Sequence, residues 1–326
     1  MANTNKHMGK AKEQKKDEFF TQIGDIEREL RHYKEHFKDK VVFCNCDDPE
    51  YSNFWLYFQL NFFSLGLKKL ISTHYEKDKP SYKMEIIAAD LPKNGQMSFP
   101  DYVKTPLQQN GDFRSPECIE ILKEADIVVT NPPFSLFREY IAQLIEYDKK
   151  FIVIGSQNSL HYKEIFPLIQ ENKVWLGYGF PNSVGFFINR EYEDYAVSSQ
   201  HKEGMIRVNG VIWLTNLDIK KRHEDIILFK PYIEEEYPKY FNYDAIDVKS
   251  VSDIPMDYYG DMGVPDSFLQ QYNPSQFEIV GLGCGDLAKR IGVTKNHRGR
   301  TDIAYYDNAG NPKCPYSRII VRRKQQ

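Results

Sequence analysis

The stretch Asp126-Ile-Val-Val-Thr-Asn-Pro-Pro-Phe134 constrains this chain more than any other. Ile127 to Thr130 suit a buried strand, and they run directly into a polar Asn131, two prolines and an aromatic. Proline fixes φ and removes a backbone donor, so Pro132 and Pro133 stiffen the end of the strand into a loop that presents one amide and one ring. Leu136, Phe137, Tyr140, Ile141, Leu144 and Ile145 then recur at helical spacing, with Ser135 placed to cap that helix, and Phe151 to Gly155 reads as a second buried strand. Strand, rigid loop, amphipathic helix and strand make one βαβ unit. The expectation is an α/β protein with a doubly wound, mostly parallel sheet, whose sites lie at the carboxyl ends of its strands.

A loop of this kind suits a particular chemistry. The exocyclic amine of a nucleobase is a poor nucleophile because its lone pair is delocalised into the ring. The side-chain oxygen of Asn131 and the carbonyl of Pro132 can each accept a hydrogen bond from one of its N–H groups and draw the nitrogen toward tetrahedral geometry, while Phe134 stacks on the ring. Pro133 completes the rigid turn. On these four residues alone, a loop that merely turns the chain is an equal alternative.

Asn-Pro-Pro-Phe after a hydrophobic strand resembles motif IV of the S-adenosylmethionine-dependent amino-methyltransferases. The longer run ADIVVTNPPFSLFREYIAQL, residues 125–144, resembles the EcoRI-type adenine-specific DNA methyltransferases, and DEFFTQ at 17–22, VVFCNCDDP at 41–49, GDFRS at 111–115 and GVPDSFLQQYNPSQFEI at 263–279 match the same family in order. The resemblance implies S-adenosylmethionine as cofactor and double-stranded DNA as partner, with transfer to adenine N6, flipping of the target base, no metal, and a monomeric enzyme. It places Phe20 and Thr21 against the methionine part of the cofactor. CNCDDP replaces the usual glycine-rich loop, with Asn45, Asp47 and Asp48 available to the cofactor, and the helix start near Ser52 and Asn53 can receive its carboxylate. Asp112 would accept from the cofactor's N6 amine and Phe113 would cover its ring. The resemblance implies that Asn131 would face both cofactor and base, and Trp213 falls where relatives place an aromatic across the flipped base from motif IV. For the ribose, Glu76 and Asp90 are candidates. Another methyl acceptor, RNA or protein glutamine, and an idle DNA-binding relative remain alternative readings.

Composition fits a folded protein: 41% of residues are hydrophobic and 14% aromatic, and no apolar run approaches the roughly 20 residues of a membrane span. A soluble, intracellular protein is expected. The five cysteines are odd in number and lack CxxC pairing, which favours neither a disulfide framework nor a zinc site. Net charge is −3, yet the segment from Asp286 to Gln326 holds ten Lys or Arg against three Asp, a local +7 that leaves −10 to the rest. Affinity for phosphate follows the local patch. Lys289, Arg290, Lys295, Arg298 and Arg300 are therefore the expected DNA contacts, on a stretch with some character of a helix-turn-helix fragment.

The expected organisation is a mobile basic arm at 1–16, a catalytic domain at 17–230 and a target-recognition region at 231–326. Within it, 17–37 should open with a packed helix, Phe54 to Leu67 and Ser156 to Gln170 should be helices, and Ile206 to Leu214 should be either a hairpin or one bent strand at Asn209-Gly210. Residues 232–262, with eight Asp or Glu against two Lys, read as a connecting segment away from DNA. The glycine-rich run from Val280 to Asp286 superficially suits a nucleotide, but only 41 residues remain from Asp286 onward, too few for a cofactor-binding half; it reads as a turn.

Overall fold

The computed structural model describes residues 20–46, 48–77, 79–90, 100–188 and 205–325. The expected basic arm at 1–16 and Asp47 lie outside them, as does the side chain of Asp90. The chain divides into two compact units: one formed by the described residues up to Leu160 together with Leu176–Leu217, the other by His161–Trp175 and the residues from Asp218 on. The division is discontinuous and falls before the composition change at 231. Among the described residues no helix is long and apolar enough to cross a membrane.

The first unit begins with β1 (Phe20–Thr21), α1 (Ile23–Leu30), β2 (Val41–Asn45), α2 (Asn53–Leu60), β3 (Lys69–Thr73), β4 (Tyr82–Ile87) and β5 (Val103–Pro106). It continues with α3 (Pro116–Glu124), β6 (Ile127–Thr130), α4 (Phe137–Glu146) and β7 (Lys150–Ser156). The chain then passes through α5 (Phe166–Gln170), which belongs to the second unit, before β8 (Trp175–Leu176), β9 (Val184–Ile188), β10 (Met205–Asn209) and β11 (Val211–Thr215). The main sheet has the order β5-β4-β3-β2-β6-β7-β11-β8. It is mixed: β3, β2, β6 and β7 run parallel at its centre, while β4, β5 and β11 are added antiparallel. Every residue of β2 and of β6 is buried, as strands covered on both faces must be, and this is why they read as unbroken apolar runs.

Several expected elements are shorter than their periodicity. α1 ends at Leu30, but the apolar stripe continues through a 3-10 turn at Lys34–His36, so that Ile26, Leu30, Tyr33 and Phe37 are all fully buried. α2 stops at Leu60, not near Leu67. Asn61 turns its side chain back to the Tyr57 carbonyl at 2.8 Å and Ser64 bonds the Asn61 carbonyl at 3.0 Å, local bonds that compete with helix propagation. Between Ser156 and Gln170 a 3-10 turn (Gln157–His161) and the short α5 replace one long helix, because Pro167 is tolerated only in a first helical turn. Gly210, at φ +70°, makes neither a hairpin nor a simple bend. β10 before it pairs with β9 in a small β1-β9-β10 sheet, whereas β11 after it pairs with β7, so the chain changes sheets at that glycine.

The second unit adds β12 (Ile246–Asp247), β13 (Asp261–Pro265), β14 (Phe277–Leu282), α6 (Gly285–Arg290), β15 (Tyr305–Tyr306), β16 (Pro312–Lys313) and β17 (Arg318–Arg323). Its sheet runs β12-β13-β17-β14. The acidic segment is thus no mere connection, since it supplies β12 and the first two residues of β13. Its carboxylates meet the basic strand directly: Asp247, almost fully buried, pairs with Arg318 at 2.9 Å, and Asp261 pairs with Arg322 at 2.7 Å. The glycine-rich run is the end of β14, with a register shift between Ile279 and Gly281, followed by the turn into α6. No second helix follows α6 among the described residues, so the helix-turn-helix reading fails: Gly292 and Gly299, both at positive φ, shape a loop instead.

Candidate active site

Asn131 follows β6 at its carboxyl end and is only 7% exposed; Pro132 is buried beside it. Pro133 (φ −54°, ψ 123°) directs the chain into a 3-10 turn at Phe134–Leu136, with Leu136 N–H donating to the Pro133 carbonyl at 3.0 Å. The N-cap of α4 is Leu136, and Ser135 lies inside the turn, so the expected serine cap is replaced by a tighter winding. Phe134 is half-buried.

The helix behind this loop organises the rest. Tyr140 donates its hydroxyl to Asn45 Oδ1 at the end of β2, and the Thr130 hydroxyl donates to the Asn45 carbonyl. These bonds tie the residue before Asn131 to the carboxyl end of the neighbouring parallel strand. One turn further on, Gln143 Nε2 donates to the Phe113 carbonyl at 3.1 Å, and the Phe113 ring meets the Tyr140 ring edge-on at 5.1 Å. Asn45 and Phe113 therefore gather around α4, and Asn131 follows directly on Thr130, which is bonded to Asn45. The sequence shows Tyr140 only as part of the apolar stripe and does not mark Gln143; a glutamine within the stripe of Phe137, Tyr140, Ile141 and Leu144 is the available signal, because buried amides need partners.

Thr21 is buried in β1, and its carbonyl accepts from Asn53 Nδ2 at 2.7 Å. Its hydroxyl has no hydrogen-bond partner among the described residues. Ser52 caps α2 by accepting from the Phe54 amide at 3.1 Å. Phe20 is half-buried in the same short strand. Asp48 is held against β4: it accepts from the Tyr82 hydroxyl at 3.0 Å and lies 3.8 Å from His74 Nε2. Burial and that carboxylate raise the Tyr82 phenol far above its ordinary value. The His74 carbonyl sits where Gly111 passes, at φ +79°; a Cβ there would come within 1.9 Å of it, so only glycine fits before Asp112-Phe113.

Arg114 commands that dipeptide. Its Nε and Nη2 grip the Asp112 carboxylate at 2.8 and 2.6 Å, and its guanidinium lies 5.2 Å over the Phe113 ring. The hydrogen bonds from Arg114 hold the Asp112 carboxyl below the usual carboxylate range. Glu76 is half-buried after β3, its amide bonded to the Asn110 carbonyl at 2.9 Å.

Trp213 is 1% exposed in β11, flat against Phe180 at 5.6 Å and edge-on to Phe54 at 6.0 Å, so its ring is walled in on these sides. The segment bearing Phe180 is pinned from α1. Glu29, 1% exposed, accepts from the Tyr33 hydroxyl at 2.8 Å and from the amides of Tyr178 and Gly179 at 2.9 Å each. In the second unit, Lys289, Arg290, Lys295, Arg298 and Arg300 are all exposed.

A central parallel set of strands that ends in Asn-Pro-Pro-Phe, beside a cluster of polar groups at the ends of β2 and β3, defines the class of the amino-methyltransferases. The chain belongs to the family described as adenine-specific methyltransferase EcoRI, which matches residues 7–324. It is 46% identical over 339 aligned residues to the type II methyltransferase M.EcoRI of Escherichia coli, covering 99% of this chain and 98% of that one. Type II methyltransferases M.MgeORF184P of Mycoplasma genitalium and M.MpnI of Mycoplasma pneumoniae are 38% and 35% identical, each over 98% of this chain.

Proposed function

We propose that this methyltransferase transfers a methyl group from S-adenosylmethionine to adenine N6 in duplex DNA, and that Asn131, Pro132 and Phe134 hold the target base. The observation that carries the reading is the position of Asn131: buried at the end of a central parallel strand and tied, through Thr130 and Tyr140, to Asn45 on the next. The buried hydroxyl of Thr21, without a partner among the described residues, and the capped start of α2 suit a polar, charged ligand there, which supports Phe20, Thr21, Asn45 and Asp48 as the wall around its methionine end. Asp47 belongs to the same proposal by its place in the chain. Asp112 and Phe113 would take the adenine end, with Arg114 giving way at Asp112 as that amine binds.

The cofactor supplies an electrophilic methyl on a sulfonium, so the protein needs no covalent intermediate. Asn131 Oδ1 and the Pro132 carbonyl accept the two N–H bonds of the target amine, which localises its lone pair, and Phe134 holds the ring in line by stacking. Pro133 fixes the loop so that neither acceptor must reorganise during transfer. A stacked, paired adenine cannot reach a buried amide, so the base is flipped at a cost of a few kcal/mol. Asn131→Ala should retain DNA and S-adenosylmethionine binding while turnover falls on the order of 10²- to 10³-fold. Transfer of tritiated methyl groups to duplex DNA, RNA and protein tests both parts: unimpaired turnover in the variant removes the role of Asn131, and incorporation only outside DNA removes the substrate.

A further inference from the structure

Most cationic side chains between Asp286 and the C-terminus are used inside the second unit itself. Lys289 pairs with Asp286 at 2.6 Å, Lys313 with Asp307 at 3.5 Å, Arg318 with Asp247 at 2.9 Å and Arg322 with Asp261 at 2.7 Å. Arg323 lies over the Tyr259 ring, and Lys324 donates to the Pro274 carbonyl. Among the described residues no carboxylate forms an ion pair with Arg290, Lys295, Arg298 or Arg300. Three of these four lie on one short segment, and that segment is built with unusual care.

Two buried asparagines clamp it. Asn242 Nδ2 donates to the carbonyls of Thr294 and Asp302 at 2.9 Å each, and its Oδ1 accepts from the Ala304 amide at 2.9 Å, closing the base of the loop. Asn296 shapes the tip: its Oδ1 accepts from the amides of Arg298 at 2.8 Å and Arg300 at 3.2 Å, and its Nδ2 donates to the Asp302 carbonyl at 3.0 Å. The Asn296 amide in turn reaches the Arg300 carbonyl at 2.7 Å, and Gly299 at φ +71° allows the return. Yet the residues so positioned, His297 to Arg300, are all exposed. Buried amides whose hydrogen-bonding groups are spent on a loop backbone stiffen that loop. The shape they impose leaves His297 to Arg300 in solvent, with only Asn296 buried beneath them.

Contact with phosphate does not require such shaping, because charge on a flexible stem suffices. A bidentate contact to a base edge does, since two parallel N–H bonds from one guanidinium tolerate little displacement. We propose that the Asn296–Arg300 tip reads base edges in the major groove of the substrate DNA, with Arg298 and Arg300 as specificity-determining side chains directed at guanine O6 and N7. The inference rests on duplex DNA being the substrate, as argued above. Arg290, outside the clamped loop, serves as a phosphate contact.

The test uses the full-length protein and two duplexes: one with the site that wild type methylates, read from modified-base sequencing of DNA from expressing cells, and one with a guanine–cytosine pair of that site changed. For Arg298→Ala and Arg300→Ala, the ratio of kcat/KM on the two duplexes should fall by about tenfold or more. Arg290→Ala should lower both values together and flatten their dependence on salt. Asn296→Ala, with folding checked by its thermal transition, should lower the ratio as the arginine variants do. Where turnover is too slow to measure, the ratio is read from the two Kd values. A ratio unchanged within twofold in both arginine variants, for every guanine–cytosine pair of the site, overturns the proposal even if the rates fall. A wild-type protein that leaves duplex DNA unmethylated would overturn the underlying reading as well, and would be seen before any variant is compared.

Discussion

Arg114 engages both groups that the family resemblance implies for the adenine end of the donor, bonding Asp112 and lying over the Phe113 ring. By bonding the Asp112 carboxylate it favours the charged form, and the sign of the resulting pH dependence is fixed: a carboxyl held low contributes stability above its unfolded value, lost as pH falls through its folded one. Arg114→Ala should therefore unfold at lower denaturant than wild type above about pH 4, with the difference vanishing at more acid pH. Because both partners are partly exposed, the effect should be small. Urea midpoints measured across that range test this, and a gap that persists unchanged in acid would remove the electrostatic account. At this scale the sequence was informative about identity and poor about environment. Asn131 and Phe113 could be named from their neighbours in the chain. Nothing local could show that Asp48 is engaged by Tyr82 or that Trp213 lies flat against Phe180, since those partners are distant in sequence.

Among the elements, α4 is the one whose side chains bond two candidate site residues, Asn45 and Phe113. Its apolar face packs under β7 closely enough that a Cβ on Gly155 would meet the Phe137 ring at 2.7 Å, while Tyr140 and Gln143 reach outward to Asn45 and Phe113. Tyr140→Phe keeps the ring and removes one hydroxyl that serves Asn45. It should cost about 1–2 kcal/mol of stability and weaken S-adenosylmethionine binding several-fold more than DNA binding. Calorimetry with each ligand separates the two, and equal losses would argue that Tyr140 is only structural. The βαβ unit containing α4 was legible because strand, loop and helix each match their period within one short stretch. Helix ends were less so: the stop of α2 depends on side-chain bonds by Asn61 and Ser64, and the change of sheet at Gly210 depends on which strands lie on either side. Periodicity encodes burial, and burial continues through turns that hydrogen bonding does not count as helix.

For the whole molecule, the composition change at residue 231 suggested a contiguous recognition region, but the second compact unit also includes 161–175. Those residues hold buried charges in place. Arg222 lies 3.8 Å from the Trp175 ring and donates to Asn172 at 3.0 Å, His161 pairs with Asp266 at 2.9 Å, and Gln170 donates to the Val280 carbonyl of β14 at 2.7 Å. A fragment of residues 218–326 would leave Arg222 and Asp266 buried without these partners. It should show no cooperative thermal transition, and joining 161–175 ahead of it through a Gly/Ser linker should restore one; equal transitions with and without the added residues would count against the assignment. Charge supports the same view of the unit as an integrated body, since two of the three arginines of β17 pair with carboxylates of the acidic segment, which sequence distance hid.

The interruption at 161–175 also bears on inheritance. A new DNA specificity is most simply acquired when the reading portion can be exchanged by one recombination event between related genes. Here a single crossover near residue 218 would bring in a foreign sheet against a resident α5, with Gln170 facing the wrong strand and Asp266 the wrong histidine environment. Exchange between distant relatives is thereby penalised, and on the proposal that the Asn296–Arg300 tip reads base edges, specificity should drift by substitutions within that loop in preference to swapping whole regions.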